Sequence, residues 1–127
     1  MIEIKISRRC LGAYYPSVGK KRRQRIEIGY YYGALSPTVL GHEIAHAVLG
    51  HVLDFPMSMT GLFELEVEAW DWALSHAPKL SFDLDIFTRS ITSYIENLVG
   101  EDRENAEQTV DTLLEKYQEK WDNEQNP

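Results

Sequence analysis

The chain has 127 residues, 43% hydrophobic and 26% charged, with a formal net charge of −7 and a single cysteine. That suffices for one globular domain with its own core, and a lone Cys10 excludes both a disulfide framework and any multi-cysteine zinc or iron–sulfur site. No apolar run is long enough to cross a membrane and the start, MIEIKISRRC, lacks the apolar segment of a secretory signal, so a cytoplasmic protein with no membrane partner is expected.

Ile2, Ile4 and Ile6 alternate with Glu3 and Lys5, which predicts a short strand with one buried face. Gly12, Pro16 and Gly19 read as turn and loop. The basic run Lys20–Arg25 reads as a solvated hairpin loop. Residues 1–25 carry a net +7 and the remainder −14, and so acidic a body is not expected to bind nucleic acid directly. Arg25–Tyr32 alternates again and predicts a second strand, with Ile26, Ile28, Tyr30 and Tyr32 on one face and Gly33 at its end.

Ser36-Pro37 signals a helix start, with Ser as N-cap and Pro in the first turn. That helix is expected to reach about Leu53, before Pro56. Further helices are expected over about Leu62–Ala77, Asp83–Val99 and Glu101–Asp122. The last places Ala106, Val110, Leu113, Leu114, Tyr117 and Trp121 on one stripe, suited to docking on the body of the protein. A little sheet followed by helices is an α+β domain: residues 1–35 the sheet region, 36–77 two helices that carry the chemistry, and 83–122 two C-terminal helices.

The first helix contains His42-Glu43-Ile44-Ala45-His46, the HExxH pattern. Histidines four apart on an α-helix differ by about 40° around its axis, so both imidazoles can reach one ion. Zinc suits two neutral imidazoles and leaves room for a carboxylate and a water. Glu43 projects about 60° from His46, placed to take a proton from that water as general base.

On the second helix Glu64, Glu68, Asp71 and Ser75 gather in one polar arc, whereas Glu66 falls among Leu62, Ala69, Trp70, Trp72, Ala73 and Ala77. A carboxylate on an apolar face is costly unless paired or metal-bound. No Lys or Arg stands on this helix before Lys79, so Glu66 is the expected third ligand of a zinc ion held by His42 and His46.

With these residues in view, GHEIAHAVLGH followed about twenty residues later by ELEVEAWDWA resembles the gluzincin metallopeptidases. The likeness is to their smallest members, the minigluzincins and the ImmA/IrrE-type peptidase domain, whose second motif reads roughly ExEAxxFA. Glu66 and Glu68 match the two acids, Ala69 and Ala73 the alanines, and Trp72 the aromatic. The likeness spans roughly residues 25–77. It implies a zincin-like fold, a zinc-dependent peptidase hydrolysing peptide bonds of a peptide or protein substrate, and Glu66 as zinc glutamate. It also implies that an edge strand before the active-site helix holds the peptide. That strand would be Arg25–Tyr32, with Ile28, Gly29 and Tyr30 as binding residues. One departure is that Trp70 stands where many gluzincins have an acid supporting a histidine ligand. That support must then come from elsewhere, Asp71 or a backbone carbonyl being candidates, and Glu68 stays open as a rival third ligand.

Among the tyrosines of the second strand, Tyr31 lies opposite the Ile26/Ile28 face and is the candidate for steadying an oxyanion. The metzincin pattern fails, since Leu49 and Val52 stand where glycine and a third histidine are needed. His51, pointing away from His42 if the helix continues, reads as structural, as does His76. Cys10 reads as idle. The alternative to a peptidase is a latent or non-catalytic zinc-binding regulatory module on the same scaffold. In that case the acidic helix Glu101–Asp122 would lie over the site or mediate self-association, as tiny gluzincins include self-blocked forms.

Overall fold

The computed structural model describes residues 2–8, 10, 12–16, 24–31, 34–51, 57–76 and 82–125, with the backbone alone for 31, 34, 35, 124 and 125. The strands are β1 (Glu3–Ile6), β2 (Gly12–Tyr15), β3 (Arg25–Ile28), β4 (Tyr30–Tyr31) and β5 (Ala34–Leu35). The helices are α1 (Pro37–Val48), α2 (Met59–His76), α3 (Leu84–Ile95) and α4 (Gly100–Gln125). The α+β organisation follows: a three-stranded N-terminal sheet and four helices. No described helix is long and apolar enough to cross a membrane.

The sheet order is β1-β3-β2. β3 runs parallel to β1 and antiparallel to β2, with Ile26 opposite Tyr14 and Ile28 opposite Gly12. Three expectations are corrected here. Gly12–Tyr15 is an edge strand rather than loop; at four residues, three half-buried and Tyr15 exposed, it is too short to show an alternating pattern. The described part of the expected strand Arg25–Tyr32, residues 25–31, is two strands, because the chain breaks at Gly29 and β4 pairs with β5; Tyr32 lies outside the described residues. The isoleucines of β1 are not buried: Ile4 is 55% and Ile6 58% exposed. They sit in register with the buried Ile26 and Ile28, on the face that α1 covers, but α1 packs on β2 and β3 and its cover stops short of the β1 edge.

Gly29 is required where it stands. A Cβ there would run into the backbone carbonyl of Cys10, which has no flexible end to move aside. Gly29→Ala is expected to cost about 1–3 kcal/mol through overpacking, read from the urea unfolding midpoint; an unchanged midpoint contradicts the close approach.

Ser36 caps α1 through its side chain, which accepts from Val39 N, and Pro37 opens the first turn. Asp83 caps α3, its Oδ1 accepting from Asp85 N at 2.9 Å and Ile86 N at 3.3 Å. The Asp83 N–H donates to Thr38 Oγ1 at 2.7 Å, which ties the start of α3 to the start of α1. The core lies between α2, α3 and α4 and is rich in rings: Trp70, Phe63, Phe82, Phe87 and Tyr117, with Ile86, Ile91 and Ile95.

The stripe of α4 docks as expected. Ala106, Val110, Leu113 and Tyr117 are buried, with Leu114 and Trp121 packed beside them, against α2 and α3. Lys116 Nζ reaches Asp71 Oδ1 at 2.8 Å, and Lys120 Nζ donates to the Ser75 carbonyl at 2.8 Å, where a cation meets the negative end of α2. The stripe is used within the chain's own core.

Candidate metal centre

α1 presents His42, Glu43 and His46 on its buried side, and α2, its principal neighbour, brings Glu66 to meet them. His42 Nε2 and His46 Nε2 stand 3.1 Å apart. Glu66 Oε2 is 2.8 Å from His42 Nε2, and Glu66 Oε1 is 3.1 Å from His46 Nε2. All three residues are buried and able to hold a metal ion. Ligands about 2.1 Å from a tetrahedral ion stand roughly 3.4 Å from one another, so these separations suit one shared ion.

Two further observations fit a cation. Glu66 Oε2 is buried and, among the described residues, meets no donor in hydrogen-bond geometry although His42 Nε2 stands 2.8 Å away, as befits donor atoms converging on a third party. The protonation states also suit. Burial pushes the His42 imidazole down, against the pull of Glu66, toward the neutral form. Burial alone would raise the Glu66 carboxyl, but His42 and His46 overcome it and hold it down to about 2. A neutral imidazole and an ionised carboxylate are what a metal binds. Glu68, the rival, is not in the cluster.

Glu43 is buried but belongs to none of these contacts. Burial pushes its carboxyl up to about 7. A Cβ on Gly12 would strike Val39 and come within 3.1 Å of Glu43 Oε1, so glycine is what lets the β2 backbone pass close above the HExxH helix. Trp70 packs directly on the first of the two histidines. Its ring stacks on His42, centroids 4.0 Å apart at 20°, while His42 Nδ1 has no hydrogen-bond partner among the described residues. The stacked indole holds the orientation of this imidazole alongside its Nε2 contacts to Glu66 and His46.

His46 is treated differently, and here the expected helix is corrected. α1 ends at Val48, not Leu53. Gly50 takes a φ of +68°, its N–H donates to the Ala47 carbonyl at 3.2 Å, and the His51 N–H donates to the His46 carbonyl at 3.0 Å. These are the paired bonds of a Schellman ending, which brings the side chain after the glycine back onto the last full turn. His51 is therefore buried beside the site instead of facing away. Its Nδ1 lies 2.9 Å from His46 Nδ1, and its Nε2 lies 2.9 Å from Glu68 Oε2.

These side chains line a cleft of about 470 Å³. One wall is β2 with Pro16. Another is the stripe Ile86, Ser90 and Tyr94 of α3, spaced by four. Burial, then the Glu66 and Glu43 carboxylates and a hydrogen bond to Glu66, push the Tyr94 phenol well above its usual range, so its hydroxyl keeps its proton.

The structure brings together His42, Glu43, His46 and Glu66. It does not bring Ile28, Gly29 or Tyr30 to the cleft walls. β3 is hydrogen-bonded on both sides, so it offers no edge to a peptide. Ile28 is in the core, and Tyr30 is 58% exposed. The side chain of Tyr31 lies outside the described residues. His51, Tyr94 and β2 are site elements that sequence reasoning missed. Comparison with known proteins returns no matching family model, no matching curated protein and no matching solved structure.

Proposed function

We propose that this chain is a small zinc-dependent peptidase that cuts peptide bonds with water. The observation that carries the proposal is the buried His42–His46–Glu66 cluster with the unliganded carboxylate of Glu43 beside it in one cleft. His42, His46 and Glu66 would hold the zinc. Bound there, zinc would polarise a carbonyl and make a water acidic enough to attack near neutral pH.

The chain's own groups supply the rest. Glu43 takes the proton of the attacking water at its carboxylate and passes it to the departing amine. Among the described strands, β2 is the edge of the sheet beside the cleft. An extended peptide would add to Gly12–Tyr15 by main-chain hydrogen bonds, in place of the strand Arg25–Tyr32 expected earlier. Tyr94, with its proton retained, donates to the carbonyl oxygen as charge grows there.

Tyr94→Phe is expected to lower kcat about 100-fold, the scale of losing one such donor, with KM little changed. Steady-state kinetics check it; an unaltered kcat leaves the hydroxyl only its contact with Glu66. The function itself is tested by digesting a diverse peptide mixture with zinc-loaded and zinc-stripped chain and reading the fragments by mass spectrometry. Cleavage by the loaded chain alone supports a peptidase and gives its preference. No cleavage, with one zinc per chain, makes the protein a zinc-binding module instead.

A further inference from the structure

The proposed zinc site has two histidine ligands whose distal nitrogens are treated in opposite ways. Among the described residues, His42 Nδ1 has no hydrogen-bond partner, and its ring lies against the face of Trp70. His46 Nδ1 begins a chain of two close contacts, to His51 Nδ1 and, through His51 Nε2, to Glu68 Oε2, each 2.9 Å. We infer that His51 and Glu68 are positioning residues that fix the tautomer and ring orientation of His46 for metal binding. The inference rests on the zinc reading above.

The tautomers follow from donor counting. To offer the Nε2 lone pair, neutral His46 must carry its proton on Nδ1. That N–H can only donate, so His51 Nδ1 must accept, and neutral His51 then carries its proton on Nε2. The carboxylate of Glu68, an acceptor without a proton, receives it. Each contact has one donor and one acceptor, and the chain ends on a full negative charge. The reverse arrangement would put an N–H on His46 Nε2 and remove a ligand atom. Partners of this kind raise ligand basicity and hold the ring in place.

The source of the arrangement is local. With Leu49 as the C-cap of α1, His46 stands three residues before the cap and His51 two after it. Those are the positions whose side chains meet across a Schellman ending. Gly50 permits the turn with its φ of +68°. Glu68 lies one residue pair beyond Glu66 on α2, and its side chain is 61% exposed, so it closes the chain from the surface without belonging to the core.

The test is Zn(II) affinity, measured by competition with a chromophoric chelator on the full chain. Glu68→Ala is expected to raise the zinc Kd about tenfold, at the low end for such partners. Glu68→Gln, which keeps an acceptor but no charge, should fall between parent and Ala. His51→Ala should raise Kd at least as far as Glu68→Ala, and adding Glu68→Ala to it should change nothing more, since the two act in series. Glu64→Ala, an exposed acid on the same helix, controls for simple loss of charge and should shift Kd less than about twofold, being screened by salt. Imidazole NMR of the nitrogen-labelled, zinc-loaded chain should show His51 protonated on Nε2 alone. If the parent binds zinc and Glu68→Ala behaves like Glu64→Ala, or His51 is protonated on Nδ1, the positioning role is overturned while the zinc reading stands. A parent that binds no Zn(II) overturns both.

Discussion

Glu43→Gln is expected to lower turnover about 100- to 10,000-fold, the range supplied by a positioned general base, while zinc content stays that of the parent. Glu43 shares the cleft with the cluster but takes no part in the contacts among His42, His46 and Glu66. Its amide replacement has the same shape, fills the same space beneath Gly12 and cannot accept a proton from water. Turnover numbers and elemental analysis of one purified preparation decide it. A Glu43→Gln chain as active as the parent ends the mechanism, and one that loses its zinc makes Glu43 a ligand.

Trp70→Ala is expected to cost about 3–5 kcal/mol of folding stability, as for deletion of a large buried ring. That is a large fraction of what holds a domain together. Trp70 is 1% exposed. It lies flat on His42 and meets Phe82 and Phe87 edge to face, at centroid distances of 6.0 and 5.1 Å. Its indole Nε1 has no hydrogen-bond partner among the described residues, so Trp70→Phe gives up area and none of the described bonds, and should cost much less. Denaturant unfolding of the three chains checks the order. Because the ring helps to hold His42 in orientation, Trp70→Ala should also weaken zinc binding, and a loss of stability under about 1 kcal/mol contradicts the central place given to this residue.

The parts of the site legible in the sequence are those governed by helix geometry within one element. His42, Glu43 and His46 share a helix, and Glu66 is singled out by an apolar arc with no cation nearby. The amphipathic stripe of α4 is legible for the same reason. What escapes is decided between elements or at their ends. Strand order makes β3 central and β2 the edge, and neither the four residues Gly12–Tyr15 nor the alternation in Arg25–Tyr32 carries that information. β1 has the pattern of a half-buried strand, yet Ile4 and Ile6 stay exposed because cover by α1 is a tertiary matter. His51 is different, because its signal was local. Gly50 after an apolar helix is a C-terminal signal, and reading it as such turns His51 toward His46, whereas running the helix on to Leu53 turns it away. Tyr94 sits on an unremarkable helix face, and only the docking of α3 beside α1, helped by the Thr38–Asp83 hydrogen bond, makes that face a cleft wall.

The measurement closest to the centre of this account is zinc stoichiometry by equilibrium dialysis and elemental analysis, for the parent, Glu66→Gln and Glu68→Gln. Gln keeps the volume of either side chain and removes one charge. One Zn(II) per chain is expected in the parent, near-complete loss in Glu66→Gln, and one Zn(II) retained at weaker affinity in Glu68→Gln. A Glu66→Gln chain that binds zinc as tightly as the parent would contradict Glu66 as a ligand.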